Sequence, residues 1–208
     1  FDPLDLEAGF QPQLAESWEV SEDGKTITFT MAEGHTFASG NPVTAKDAEF
    51  SLRRAVELNK TPSFILTQFG FTPENVEETI VAEDDKTLVL KLDKQYAVSF
   101  VLNCLTATIG GIVDMETVME HEEDGDMGNA WLRTNTAGSG PYKVSDWKPN
   151  ESVLMDLNPN YGGEEPAMQR VIVQHIQESA TQRLQLERGD IDVARNLSPE
   201  DVAAVQEN

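Results

Sequence analysis

At 208 residues, with 39% hydrophobic and 25% charged content, the chain is globular in composition and long enough for one large domain or two small ones. Its 37 acidic against 15 basic residues give a net charge of −22, which repels phosphate backbones and anionic membranes and disfavours nucleic-acid partners. No run of 18 apolar residues is present, so no membrane insertion is encoded, and the start lacks the basic-then-apolar pattern of a secretory leader.

Residues 1–13 are extended and proline-punctuated, reading as a connector. SWEV and TITFTM then alternate around Asp23-Gly24, a hairpin signal, with Ile27, Phe29 and Met31 on one buried face. A glycine-rich loop from Gly34 to Gly40 carries Phe37. Thr44 with Asp47 resembles a capping box for a helix whose apolar face is Ala48, Leu52 and Ala55. Asn59 to Asn75 reads as a loop or broken helix bearing Phe64, Phe69 and Phe71. A second hairpin is predicted from VEETIVAED and KTLVLKLD, and Tyr96 to Leu105 reads as a short buried helix. Its lone Cys104 allows no disulfide framework and reads as an inert core thiol.

The acidic run from Asp114 to Asp126 lacks the ligand ladder of a calcium loop and reads as a solvated helix end. A boundary is expected near Trp131 to Ala137. Beyond it come a third hairpin around Lys148 to Glu151 and a strand in MQRVIVQHI. Ser179 with Gln182 predicts a capped helix to Arg188, stopped by Gly189, and IDVA a further strand completing a parallel βαβ unit. Ser198-Pro199-Glu200-Asp201 opens a last helix.

Enzyme chemistry finds little support. His35, His121 and His175 lack ligand spacing, and no GxSxG, HExxH, P-loop or CxxC is present. GSGP at Gly138 to Pro141 lacks the Lys-Ser/Thr ending of a phosphate loop and reads as a strand entry turn. No catalytic residue, metal site or cofactor is assigned.

Three motifs carry a family resemblance: W-x-V-S-x-D-G-K-T-x-T-F with G-x-x-F-x-x-G-x-P-V-T-A-x-D-A-x-F-S-L in the first quarter; AGSGPYKVSDW with NPNYGG; and LERGDID. In this order they resemble the family 5 extracellular solute-binding proteins, the peptide, nickel and opine group that serves ABC importers. The resemblance implies a mixed α/β (α+β) chain, a partial type II periplasmic-binding fold. Residues 14–135 would form a β-rich accessory subdomain and 136–208 part of the main α/β lobe, with the second lobe absent. The start FDPLDLEAGF reads as a mature N-terminus or an internal cut. Since members are longer and begin with a strand upstream, the resemblance implies the cut, and an N-terminal fragment of a family member.

By that resemblance the function is capture of a peptide-like or other small polar solute between two lobes, and delivery to the permease, in the periplasm or on a lipid-anchored extracellular protein. A hydrolase on a polar substrate, or a sensory or adhesive ectodomain, is the alternative. Phe64, Gln68 and Phe69 would face ligand, although the residues alone also allow all three to join the local core. Thr108 and Gly110 would lie on a cleft-lining strand, Gly110 leaving open space there. Trp18, Phe37, Tyr142 and Trp147 read as buried fold residues. Residues 136–208 are expected to expose apolar sheet surface, which another chain could cover in a dimer.

Overall fold

A computed structural model describes residues 9–207; the greater part of the connector expected over 1–13 lies outside them. Packing divides the chain into two units, one taking the described residues to Val144 and Asp156–Arg170, the other Ser145–Met155 and the residues from Val171 onward.

The first unit is built on an antiparallel sheet of order β1-β2-β4-β3: β1 Ala15–Val20, β2 Thr26–Met31, β3 Ile80–Ala82 and β4 Thr87–Lys91. Alternation in TITFTM sends Ile27, Phe29 and Met31 inward, and the register sets Ile27 opposite Leu90 and Phe29 opposite Leu88. Helix α1, Ala45–Leu58, covers this face with Ala48, Leu52, Ala55 and Val56. Its start is fixed as the sequence predicts: the Asp47 carboxylate accepts from the Thr44 N–H at 3.0 Å and from its hydroxyl at 2.7 Å. Arg53 pins the helix to the sheet, pairing with Glu49 at 2.5 Å and donating to the Ile80 carbonyl at 2.8 Å.

Three expectations in this unit need correction. Val76–Thr79 is a helical turn, α3, not the first half of a strand. Asn75 redirects the backbone there, its side chain accepting from Thr72 N–H at 2.8 Å, so only Ile80–Ala82 pairs with β4. Helix α4 spans Val98–Leu105, leaving Tyr96 outside it. Thr108–Gly110 is a 3-10 turn, not a strand, and it gives Gly110 no open space. A Cβ there would lie 2.2 Å from the Leu105 carbonyl oxygen, so the glycine permits close backbone approach. Between α1 and α4 lies α2, Phe64–Thr67; after the 3-10 turn comes α5, Met115–Met119.

The first two of the three sequence motifs meet at one junction. Phe37, at the tip of the glycine-rich loop, is fully buried. Ala38 N–H donates to the Gly138 carbonyl at 3.1 Å, and Asp114 N–H to the Ala137 carbonyl at 2.8 Å. From NPNYGG, the Asn160 amide donates to the Ala38 carbonyl at 3.1 Å and its own carbonyl accepts from the Thr36 hydroxyl; Asn158, buried, donates to the Gly140 carbonyl at 2.8 Å. Residues far apart in sequence are thus joined by hydrogen bonds to backbone carbonyls, donated by backbone N–H groups and by side chains, that fix the path of the chain.

Strands β5 (Tyr142–Lys148), β6 (Ser152–Leu157) and β7 (Arg170–Gln174) form a second sheet in that order. In the second unit, α6 (Ser179–Arg188) ends at Gly189 in the left-handed conformation, and α7 (Pro199–Glu207) is capped by Ser198, whose hydroxyl accepts from Asp201 N–H. The predicted Ser179 and Gln182 capping box does not form. The Ser179 hydroxyl is drawn away to the Asp201 carboxylate, and Gln182 reaches the Ile176 carbonyl. IDVA forms no strand, since a strand requires a paired neighbour; its Val193 is 73% exposed. Trp147 is not buried as expected but 42% exposed, and Ile172, Val173, Leu184 and Val202 are exposed too.

Candidate functional site

The residues the sequence singles out fall on two neighbouring features of the first unit. Phe64, Gln68 and Phe69 belong to α2 and its carboxyl end, which packs against α4, Val98–Leu105. Phe69 has no exposed surface. Its ring meets Tyr96 edge-on at 5.0 Å, Phe100 at 5.5 Å and Phe71 at 6.4 Å. It is therefore the foundation of an aromatic shelf and not a contact surface. Phe64, 63% exposed, and Phe100, also exposed, present apolar area to solvent.

Polar groups rim the shelf. The Gln68 side-chain amide donates to the Ile65 carbonyl at 2.8 Å and sits 3.5 Å from the Cys104 sulfur. The Tyr96 hydroxyl lies 2.7 Å from the Gln68 carbonyl and 2.9 Å from Asp93 Oδ1, and Lys94 Nζ stands 5.2 Å from the Tyr96 ring centroid. Burial pushes the Cys104 thiol above its ordinary pKa, against a smaller opposing hydrogen bond from Gln68. That keeps it protonated and poorly nucleophilic.

Thr108 lies apart from the shelf, lining a cavity of about 250 Å³ with Arg54, Lys60 and Asn129. Gly110 is absent from that lining. The five predicted residues thus split into an exposed pair, Phe64 and Gln68, a buried support, Phe69, and a separate turn.

Sequence reasoning missed Tyr96 and Phe100, which it absorbed into a buried helix, and Lys94 just before them. Only Val101 and Leu102 of α4 are buried, and a helix that short leaves a flank to solvent. It also missed Asp114. Its carboxylate accepts from the Ser39 hydroxyl at 2.6 Å, the Asn41 amide at 3.1 Å, and Thr117 N–H at 3.2 Å and hydroxyl at 2.6 Å. Burial alone raises its pKa, but hydrogen bonds from Ser39, Thr117 and Asn41 together outweigh that and hold it below the ordinary carboxylate value. The readable signal was Asp followed three residues on by Thr at a helix start. Among the described residues, no three His, Cys, Asp or Glu side chains group as metal ligands.

The family profile described as bacterial extracellular solute-binding proteins, family 5 Middle, matches residues 9–208. The chain is 36% identical over 196 residues to the probable D,D-dipeptide-binding periplasmic protein DdpA of Escherichia coli, covering 94% of this chain and 36% of that protein. It is similar to Haemophilus influenzae OppA, solved in complex with the peptide RPPGFSPFR, with TM-score 0.73 and 26% identity over 95% of this chain and 40% of that one. A dipeptide-binding protein from Pseudoalteromonas, solved with Met-Leu, shares the fold at TM-score 0.79 and 21% identity, over all of this chain and 42% of that one. The chain spans little more than a third of these relatives' lengths. It belongs to the family 5 bacterial extracellular solute-binding proteins.

Proposed function

We propose that the chain serves in the substrate-binding component of an ABC importer, capturing a peptide-like or other small polar solute between two lobes outside the cytoplasm and handing it to a permease. The observation that carries this reading is the family match over residues 9–208, supported by relatives that are named as dipeptide-binding or were solved with a bound peptide. Capture is reversible and consumes no covalent bond. An exposed aromatic shelf with an amide and an ammonium at its rim has the chemistry to cover an apolar side chain while hydrogen-bonding a peptide backbone. In this reading Phe64 and Gln68 contribute contact surface, Phe69 holds the shelf rigid from beneath, and Thr108 and Gly110 set the adjoining turn. Residues 14–135 act as the accessory subdomain and residues from Thr136 onward as part of the main lobe.

The test is calorimetry with a panel of dipeptides and oligosaccharides, on the 208 residues alone and on a chain carrying them at the relatives' length. Saturable peptide binding by the longer chain, weakened by Phe64→Ala or Gln68→Ala, supports the reading. Oligosaccharide binding without peptide binding, or affinity indifferent to both substitutions, overturns the solute class or the site.

A further inference from the structure

The cavity beneath the carboxyl end of α1 has a chemistry the solute-binding role does not use. In a chain with 37 acidic residues, no carboxylate lines it. The residues that line it include Arg54, Lys60, Thr61, Thr108 and Asn129, which bring it a guanidinium, an ammonium, two hydroxyls and an amide. Arg54 is held in place by its Nε, which donates to the Met127 carbonyl at 2.8 Å, leaving both terminal nitrogens without a protein acceptor among the described residues. Asp126 acts on Arg54 through space, but its oxygens are occupied, accepting from Ala130 N–H at 2.6 Å and Glu123 N–H at 3.2 Å.

From these features we infer that the cavity is a binding site for a small, multiply charged oxyanion, with Arg54 as bidentate anchor and Lys60 as second charge. A guanidinium fork matches the two oxygens of a phosphate or carboxylate, and hydroxyl and amide groups supply further donors. The volume of about 250 Å³ holds roughly eight waters' worth of liquid, enough for phosphate or citrate. Burial lowers the Arg54 pKa, whereas Lys46, Lys86 and Arg170 are raised by carboxylate partners; an anion in the cavity supplies what Arg54 lacks. The partial negative charge at the end of α1 opposes the anion, but it acts only within the last turn and faces two full positive charges.

The site is tested on the 208-residue chain by calorimetry and amide NMR, titrating sodium phosphate, sodium citrate and sodium chloride at matched ionic strength. Thermal shift alone is not used, because phosphate stabilises folded proteins by exclusion from their surface. Saturable binding of phosphate or citrate is expected, with shifts centred on Thr61, Thr108 and Asn129 and none from chloride. Arg54→Gln and Lys60→Gln each weaken it by about tenfold. Lys60 is exposed, and its one hydrogen bond among the described residues is through the backbone carbonyl, which accepts from Ser63 N–H at 2.7 Å, so substituting the side chain leaves the fold intact and isolates the charge. Phosphate binding without citrate assigns an inorganic site, and the reverse a carboxylate site. Absence of saturation with both anions, or a loss smaller than about threefold in either variant, overturns the inference whatever the peptide panel gives.

Discussion

Replacing Asp114 by Ala probes the junction on which the first unit depends. The carboxylate is buried and accepts from four donor groups, tying the glycine-rich loop through Ser39 and Asn41 to the start of α5 through Thr117. Hydrogen bonds to a charged acceptor contribute about 1.5–3 kcal/mol each, and the helix cap alone about 1 kcal/mol. These overlap, since the freed hydroxyls can pair with each other or with water, so the net loss is about 3–5 kcal/mol. Against a typical domain stability of about 5–15 kcal/mol that is a large fraction. Asp114→Asn keeps the shape and one acceptor oxygen, and should lose about half as much.

Urea denaturation followed by tryptophan fluorescence reads both variants directly. The pH dependence gives a second check. Because the folded-state pKa lies below the unfolded value of about 3.8, the stabilisation is complete above that value. It is lost as pH falls through the lower, folded-state pKa. The gap between wild type and Asp114→Ala should therefore be constant from pH 7 to 5 and narrow below about 3.8. A gap under about 0.5 kcal/mol at pH 7, or one that does not narrow in acid, would refute the reasoning.

The remaining predictions use the same protein. Phe37→Ala, at a fully buried site, should cost about 3–5 kcal/mol in urea melts, whereas Trp147→Ala, at a half-exposed site, should cost under about 1 kcal/mol; equal costs would contradict the burial assigned to them. Gly110→Ala forces a methyl against the Leu105 carbonyl and should lower stability by about 1–3 kcal/mol without changing helix content by circular dichroism. Ile172→Thr with Val173→Lys strips exposed apolar area from both faces of β7 and should dissociate any oligomer formed through that strand, as read by sedimentation; an oligomer that persists in the variant would show that β7 does not drive association.

What the sequence disclosed was what local chemistry dictates. The Asp23-Gly24 turn, the inward face of TITFTM, the Thr44 and Asp47 cap and the Gly189 stop each follow from residues within a few positions of one another, and each stands in the structure. Features that depend on a distant partner were not legible. The Ser179 hydroxyl was claimed by Asp201, 22 residues away, and Val193 found no neighbour to pair with. At the candidate site, the three-residue cluster of Phe64, Gln68 and Phe69 was visible as composition. Which ring faces inward was decided by the packing of α2 on α4, and no periodicity in a four-residue helix encodes that.

The central claim is that these residues serve to hold a solute and not to transform it. Incubating a chain that carries them at the relatives' length with a dipeptide library, and recovering the bound fraction by mass spectrometry, tests it most directly. The account predicts a saturable subset of dipeptides returned chemically intact; cleaved or modified peptides, or no retention of any dipeptide, would contradict it.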